Sequence, residues 1–363
     1  MSPSARRSNS NTAGHFDFLR REYTPFQRAY MALLNALVAA VGFTLKLGGR
    51  PLKNILILGF GRTAYWRLTE RRRIALTNLD LVYGDDLNEA DKRRLALKAF
   101  QHYVRFTLDF LFDDLYWPLS ERREQVTVRN TEALDLALKE DRGFIALSGH
   151  LGNFELGMST INAFGYETFG IYKGFKNPWF DQFIGRKRLR CGYRLVEVPR
   201  KEHEVALGVR RRLPRRSVRP ELERIWQSNH GVAVGVDQYG GSGGLKIPFL
   251  GVPNAPTTVG ALRYAVENKV PLTLQTCVYG NEDRLIWNIE GPILIEDQPG
   301  GGAATLEHYA RLVNEWLSEQ IKRYPEQYAW PHRRFAHHYY KSQRPVRPDP
   351  PQPTGQRDTT FSP

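Results

Sequence analysis

The sequence predicts an α/β protein in which a mostly parallel central sheet is flanked by helices, with a helical segment before it. Three observations lead to this prediction. The chain of 363 residues is 41% hydrophobic and can bury a sizeable core, residues 55–112 have helical periodicity, and short apolar runs alternate with helical stretches after Gly143. Strands that alternate with helices are typical of parallel sheets, whose ligand sites lie at the carboxyl ends of the strands.

The two ends of the chain are predicted to be disordered. Residues 1–14 are small and polar without apolar periodicity, and residues 341–363 are rich in proline and poor in apolar side chains. Between these ends we expect an apolar N-terminal region over residues 15–50 and the main folded domain over residues 51–340.

Seventeen residues without a charge, 29–45, stand out in the N-terminal region. Three interpretations of this stretch compete. It is short for a membrane-spanning helix, which needs about 20 apolar residues, and it lacks the small-x-small cleavage site of a secretory signal. The third interpretation is an ordinary buried helix. The pair Arg20-Arg21 matches a twin-arginine signal only weakly. We favour a helix that associates with or inserts marginally into a membrane, with Arg20, Arg21 and Arg28 on the cytoplasmic side.

The clearest helix begins near Asn88, a predicted N-cap with Glu89 and Asp91 in the first turn. After Gly143 the apolar runs predict five strands, and the stretches between and after them predict five helices. The strands are Phe144–Ser148, Thr168–Tyr172, Leu195–Val198, Val232–Val236 and Leu272–Val278. The helices are Phe154–Phe164, Trp179–Arg190, Glu221–Gln227, Val259–Glu267 and Thr305–Arg323.

The charge balance favours an anionic partner. The chain has 52 Lys and Arg against 38 Asp and Glu, a net charge of +14, which suits nucleic acid, anionic lipid headgroups, phosphorylated substrates or an acidic carrier protein. The segment Arg200–Arg224 has a net charge of +5 and is either a solvated surface or a landing site for phosphates or an acidic partner. No zinc, helix-turn-helix or aromatic RNA-binding signature supports nucleic acid, and two cysteines, Cys191 and Cys277, exclude a disulfide framework and a Cys-rich zinc site.

A candidate catalytic pair follows the first predicted strand. His150 and Glu155 are five residues apart, in a turn that contains Gly149 and Gly152. On one continuous helix their side chains would point about 140° apart, but if His150 lies in the turn and Asn153 caps the helix, Glu155 can fold back onto the imidazole. A carboxylate on one ring nitrogen makes the other a general base for a hydroxyl group.

Two other interpretations of this turn were weighed. His150 can be a structural histidine of a βα turn. Ser148 and His150 can be parts of a serine hydrolase, although adjacent positions at a strand end are a poor geometry and the G-x-S-x-G motif is absent.

The segment from Gly149 to Leu156 matches the H-x4-D/E motif of glycerolipid-type acyltransferases and resembles the G-H-x-G-N-[WF]-E-L segment of the bacterial lipid A biosynthesis (late) acyltransferase family. Further blocks resemble that family in the same order along residues 30–335. The first block is Arg73-Ile74-Ala75-Leu76 with Asn78-Leu79, and the second is Ile171-Tyr172-Lys173 with Lys176-Asn177-Pro178, Arg186 and Arg188. The third block is Val236-Asp237-Gln238 with Ile247-Pro248-Phe249-Leu250-Gly251 and Thr257. The fourth is Pro325-Glu326-Gln327-Tyr328 with Trp330 and His332-Arg333-Arg334-Phe335.

This resemblance implies an acyltransferase domain over residues 51–340, at the cytoplasmic face of the bacterial inner membrane. It implies transfer of a fatty acyl chain from an acyl carrier protein thioester to a hydroxyl of a membrane glycolipid such as a lipid A precursor, without a metal, a cofactor or nucleic acid. His150 would be the general base and Glu155 its orienting partner. The residues expected to shape the site or bind substrate are Asn153, Lys173, Arg186, Arg188, Asp237 and Gln238.

Three departures from the family pattern leave the acceptor open. Lys173 stands where the family usually has arginine, the segment 200–224 is longer than usual, and residues 240–244 are unusually rich in glycine. The alternatives are another glycolipid, a different hydroxylated or amino lipid, or a non-catalytic lipid-binding relative; the intact His150 and Glu155 argue against the last.

Overall fold

The computed structural model describes residues 16, 19, 22–198, 217–241, 243–281 and 284–340, and the backbone alone of residues 203–206 and 209–212. The two ends that were expected to be disordered, the Arg20-Arg21 pair, and residues 200–202, 207, 208 and 213–216 of the basic segment Arg200–Arg224 lie outside the described residues.

A seven-stranded sheet forms the centre of the described structure, in the order β1-β11-β10-β2-β7-β3-β4. Strands β10, β2, β7, β3 and β4 run parallel to one another, whereas β11 is antiparallel to β10 and β1 is parallel to β11. Two hairpins, β5–β6 and β8–β9, lie outside this sheet. The strands are β1 Val126–Arg129, β2 Phe144–Ser148, β3 Thr168–Tyr172, β4 Arg194–Glu197, β5 His203–Ala206, β6 Val209–Arg212, β7 Gly231–Gly235, β8 Leu245–Phe249, β9 Val252–Thr257, β10 Leu272–Tyr279 and β11 Leu285–Ile293.

Helices flank this sheet, so the predicted fold class is confirmed. They are α1 Pro25–Arg67, α2 Thr69–Tyr83, α3 Glu89–Leu111, α4 Asp113–Tyr116, α5 Arg122–Gln125, α6 Glu132–Leu138, α7 Phe154–Ala163, α8 Pro178–Arg190, α9 Arg219–Gln227, α10 Gly260–Asn268 and α11 Gly301–Arg323. Short 3-10 turns cover Gly84–Asp86, Pro325–Gln327 and His337–Tyr340.

Helix α1 extends well beyond the uncharged stretch that predicted it. It begins at Pro25, and Thr24 and Gln27 form a capping box at this end. The helix kinks at Gly49, which has a φ of 57° and lies two residues before Pro51. Within the described residues it is the one helix long and apolar enough to cross a membrane, and only 11% of its most apolar window is buried. Large apolar side chains are exposed along both halves of α1: Phe26, Tyr30, Leu33, Leu37, Val41, Phe43, Leu47, Ile55, Leu58, Phe60 and Trp66.

Helix α3 runs antiparallel to α1 and connects it to the sheet. Its N-cap is Asn88, as predicted, whose side chain accepts a hydrogen bond from the backbone N–H of Asp91 at 2.9 Å. A Cβ at Gly61 of α1 would lie 2.7 Å from Cα of Gln101, so glycine permits the close approach of the two helices. Farther along, Asp109 of α3 forms a buried ion pair with Lys53 of α1 at 2.9 Å.

The carboxyl ends of β2 and β7 lie side by side in the sheet. Ser148 pairs with Gly235 in the parallel register, and the backbone N–H of Val236 donates to the carbonyl of Ser148 at 2.9 Å. The residues that follow the two strands are therefore brought together, although they are far apart in the sequence.

Candidate active site

His150 and Asp237 meet where β2 and β7 end. The Oδ1 atom of Asp237 lies 2.8 Å from Nδ1 of His150, and Oδ2 accepts the backbone N–H of His150 at 2.8 Å. A Cβ at Gly149 would lie 2.8 Å from the Leu317 side chain and 3.3 Å from Oδ2 of Asp237. Because residue 149 is glycine, the Asp237 carboxylate has the space to contact both Nδ1 and the backbone N–H of His150.

The two groups stabilise each other's charged form. Burial opposes protonation of His150, but the charge and hydrogen bond of Asp237, helped by the charge of Glu155, hold the pKa of the imidazole above its ordinary value. Burial alone would raise the pKa of Asp237, but the charge and the two hydrogen bonds of His150, with the charge of Arg334, bring it to about 2. Asp237 is thus an anion that favours the imidazolium form of His150.

The Nε2 atom of His150 is the ring nitrogen available to a substrate. With Nδ1 donating to Asp237, Nε2 carries the lone pair, and it faces the amide nitrogen of Gln238 at 3.4 Å. The side chain of His150 is 27% exposed, so a reactant can reach it. The Phe154 ring packs edge to face against the imidazole, with the ring centroids 4.8 Å apart, and the His332 ring stacks on the imidazole with the centroids 6.2 Å apart. This environment suits a general base.

The hydrogen bond expected between Glu155 and the imidazole is not formed. Glu155 lies in the first turn of α7, as predicted, but its carboxylate pairs with the Arg188 guanidinium at 2.5 and 3.1 Å and accepts the hydroxyl of Tyr193 at 2.6 Å. These two partners take both carboxylate oxygens, and Asp237 occupies the position on Nδ1. The orienting contact that was assigned to Glu155 therefore belongs to Asp237.

The polar groups of the turn that are closest in sequence to His150 are engaged in hydrogen bonds within the fold. The Asn153 side chain caps α7 by accepting the N–H of Leu156 at 3.0 Å, and its amide donates to the Tyr279 hydroxyl at 2.7 Å. The backbone N–H groups of Gly152 and Asn153 donate to carbonyls at 3.0 and 2.7 Å. Both polar atoms of the Asn153 side chain thus have partners within the fold, its substrate-binding role stays a prediction, and the amide of Gln238 is the predicted site group that lies beside Nε2.

A buried chain of polar groups, which the sequence analysis missed, holds this turn. Lys53 donates to Oδ1 of Asp109 at 2.9 Å, the Tyr279 hydroxyl donates to Oδ2 of Asp109 at 2.7 Å, and Tyr279 accepts from Asn153. Lys53, Asp109 and Asn153 are at most 2% exposed. Lys53 is one of several basic residues of α1, with Lys46 and Arg50 close by in the sequence, so no local signal marked it as the buried cation that needs a partner.

His102 of α3 supports the same turn. Its Nε2 lies 3.1 Å from the carbonyl of Gly152, and burial, only partly offset by this hydrogen bond, lowers its pKa to about 4. His102 is therefore neutral at neutral pH and donates to that carbonyl.

The remaining predicted residues lie apart from the imidazole. Arg188 holds Glu155, whereas Lys173 and Arg186 are exposed and no described contact joins either of them to His150. Arg186 lines a different cleft, between α1 and α8. The substrate-binding roles of Lys173 and Arg186 remain predictions.

An apolar groove begins beside the imidazole. Its volume is about 500 Å³, and His332, which stacks on His150, lies in its wall together with Arg71. The other walls come from α1, α3 and Leu68, which links α1 to α2, and they are mainly apolar: Ala64, Leu68, Phe100, Tyr103, Val104, Thr107 and Leu108. The groove is apolar enough to accept a fatty acyl chain close to His150.

The motif blocks at the two ends of the domain meet next to the site. The amide of Asn78 donates to the carbonyls of Trp330 and His332, both at 2.8 Å, and Arg334 donates to Pro256 and Thr257 at 2.7 and 2.9 Å. In the part of the chain that the structure describes, no group of three or more His, Cys, Asp or Glu side chains could hold a metal ion. Cys191 and Cys277 are buried free thiols.

Similarity to known proteins extends over most of the chain. The sequence profile of the bacterial lipid A biosynthesis acyltransferases matches residues 23–337. The lipid A biosynthesis lauroyltransferase of Escherichia coli (strain K12) is 24% identical over 283 residues, which cover 76% of this chain and 83% of that protein. The lipid A biosynthesis palmitoleoyltransferase of the same strain and the lipid A biosynthesis acyltransferase of Shigella flexneri are each 23% identical over 273 residues, 74% of this chain and 79% of each relative. The chain belongs to the bacterial lipid A biosynthesis acyltransferase family and is an acyltransferase.

Proposed function

We propose that the protein transfers a fatty acyl chain from an acyl carrier protein thioester to a hydroxyl of a lipid A precursor at the cytoplasmic face of the inner membrane. The observation that carries this proposal is the His150–Asp237 pair beside an apolar groove. The names of the relatives support the lipid A acceptor.

In this mechanism Nε2 of His150 removes the proton of the acceptor hydroxyl while its oxygen attacks the thioester carbonyl carbon. Collapse of the tetrahedral intermediate breaks the carbon–sulfur bond, and His150 returns the proton to the leaving thiolate, which gives an ester and a free thiol. Asp237 stabilises the imidazolium form between the two proton transfers. The amide of Gln238, 3.4 Å from Nε2, is placed to donate a hydrogen bond to the reacting oxygens.

The surface of the protein suits these substrates. The exposed apolar side chains along α1 can enter the interfacial region of a bilayer, where a glycolipid acceptor resides. The net charge of +14 favours a phosphorylated acceptor and an acidic carrier protein.

Lipid mass spectrometry of a host with and without the gene tests the proposal. We expect deletion to accumulate a lipid A species lighter by one acyl chain, the wild-type gene to restore the heavier species, and His150→Ala to fail to do so at equal protein level. If another hydroxylated or amino lipid changes instead, the acceptor is wrong. If no lipid changes, the proposed reaction is wrong.

A further inference from the structure

A second, larger cleft lies between the first half of α1, the junction of α3 and α4, and α8. Its volume is about 1010 Å³, at the upper end of the range for small-molecule sites. It shares no lining residue with the groove beside His150, which contacts α1 only near its end, at Ala64. The cleft is therefore separate from the proposed acyl groove.

The two helices that line the cleft change from apolar to basic in the same direction. Trp179 of α8 donates to the Asn35 side chain of α1 at 3.4 Å. Eleven residues after Asn35 stands Lys46, and eleven residues after Trp179 stands Arg190; eleven residues span about 16 Å of helix. The side chains between them that face the cleft are mainly apolar or small: Val38, Ala39, Gly42, Phe43 and Phe183.

Three cations at the basic end are available to a ligand. Lys187 is already paired with Asp113 and, at 3.4 Å, with Asp114. Lys46, Arg186 and Arg190 are exposed on the cleft, and among the described residues none of the three has a recorded ion pair or hydrogen bond. An apolar slot about 16 Å long that ends in unpaired cations is complementary to an amphiphile with an anionic head.

We propose that this cleft binds a glycerophospholipid with an anionic headgroup, its phosphate against Lys46, Arg186 and Arg190 and one acyl chain along Phe43 and Phe183. The position on α1 supports a bilayer lipid as the occupant, since the same helix exposes Leu33, Leu37 and Leu47 outside the cleft. The proposal does not depend on the chemistry at His150.

Trp179 provides a direct probe, because it lies in the cleft. The full chain in neutral detergent is titrated with phosphatidylglycerol that carries brominated acyl chains, which quench nearby tryptophan fluorescence. We expect saturable quenching that brominated phosphatidylcholine does not reproduce and that Trp179→Phe largely removes. The pair Arg186→Glu with Arg190→Glu should weaken binding of phosphatidylglycerol by about tenfold or more.

The matched control is Lys139→Glu with Arg142→Glu, which makes the same change in net charge at exposed positions outside the cleft. This control should bind as the wild type does. Lys46→Gln, on the opposite wall, should weaken binding without a charge reversal, and thermal unfolding confirms that each variant is folded.

Three results would overturn the proposal. The first is equal quenching by phosphatidylglycerol and phosphatidylcholine, and the second is unchanged binding by the Arg186 and Arg190 variant. The third is displacement of phosphatidylglycerol by an equimolar amount of a phosphorylated disaccharide lipid, which would make the cleft the acceptor site. Because these measurements involve no acyl transfer, they are separate from the test of the proposed function.

Discussion

Both carboxylate oxygens of Asp237 bind His150, one at the ring Nδ1 and one at the backbone N–H, each at 2.8 Å. The carboxylate thus fixes the rotation of the ring, its tautomer and the position of the turn that carries it. The two residues are 87 positions apart and meet because β2 and β7 are adjacent and end together.

Asp237→Asn removes the charge of the carboxylate but keeps its size and shape. The amide can still hold the turn but cannot stabilise the imidazolium, so we expect a rate loss of about 10²- to 10⁴-fold. The pKa of His150 is raised mainly by Asp237, so its removal should move the acidic limb of the kcat/KM profile to lower pH. The measurement is kcat/KM against pH for both proteins. An acidic limb that stays in place would show that another group raises the pKa of His150.

Glu155→Gln should act mainly through stability. It leaves the partly buried Arg188 without its carboxylate, which should lower the free energy of unfolding by about 3 kcal/mol. Urea unfolding measures the loss, and adding Arg188→Gln to the same chain should recover part of it. If Glu155→Gln keeps wild-type stability and shifts the pH profile as far as Asp237→Asn does, Glu155 acts on the imidazole after all.

Tyr279→Phe should loosen the turn from the buried chain of polar groups. It removes the hydrogen bond donated to Asp109 and the one accepted from Asn153, so we expect unfolding to become easier by about 1–3 kcal/mol and kcat to fall more than KM changes. Tyr166→Phe is the control, because its hydroxyl bonds to the exposed Asp135, and it should cost no more than about 0.5 kcal/mol. Equal losses in the two variants would remove the special role of Tyr279.

Membrane attachment should depend on the exposed face of α1. Leu33→Glu, Leu37→Glu and Val41→Glu together place charges at positions that are 59, 55 and 43% exposed, so the fold should survive while the bilayer contact is lost. Fractionation at high salt should find this variant in the soluble fraction, unlike Leu136→Glu, which changes an exposed leucine of α6. If the triple variant still sediments with membranes, the attachment lies elsewhere in the chain.

Most of the fold followed from local sequence patterns. The five predicted strands are β2, β3, β4, β7 and β10 within one or two residues, because the mainly buried strands of a parallel sheet form short apolar runs. Strand β1 was missed because it is a four-residue strand at the sheet edge with one buried residue, Val126. Strand β11 has the alternating pattern of a strand, with Leu285, Trp287 and Ile289 buried, and could have been found.

The candidate site was predicted in position but not in pairing. Local sequence places His150 at the end of a strand, and it favours Glu155 as the partner because this carboxylate is close in sequence. The true partner depends on the neighbour of β2 in the sheet, which local patterns do not give. Glu155 is diverted because α8 and the residues after it bring Arg188 and Tyr193 to its carboxylate.

The most direct test of the account is single-turnover acyl transfer by the purified full-length protein, from an acyl carrier protein thioester to a lipid A precursor, with wild-type and His150→Ala proteins compared. The account predicts that His150→Ala lowers the rate at least about 100-fold while the melting temperature hardly changes, since the side chain is partly exposed. Turnover by His150→Ala at a rate close to that of the wild type would contradict it.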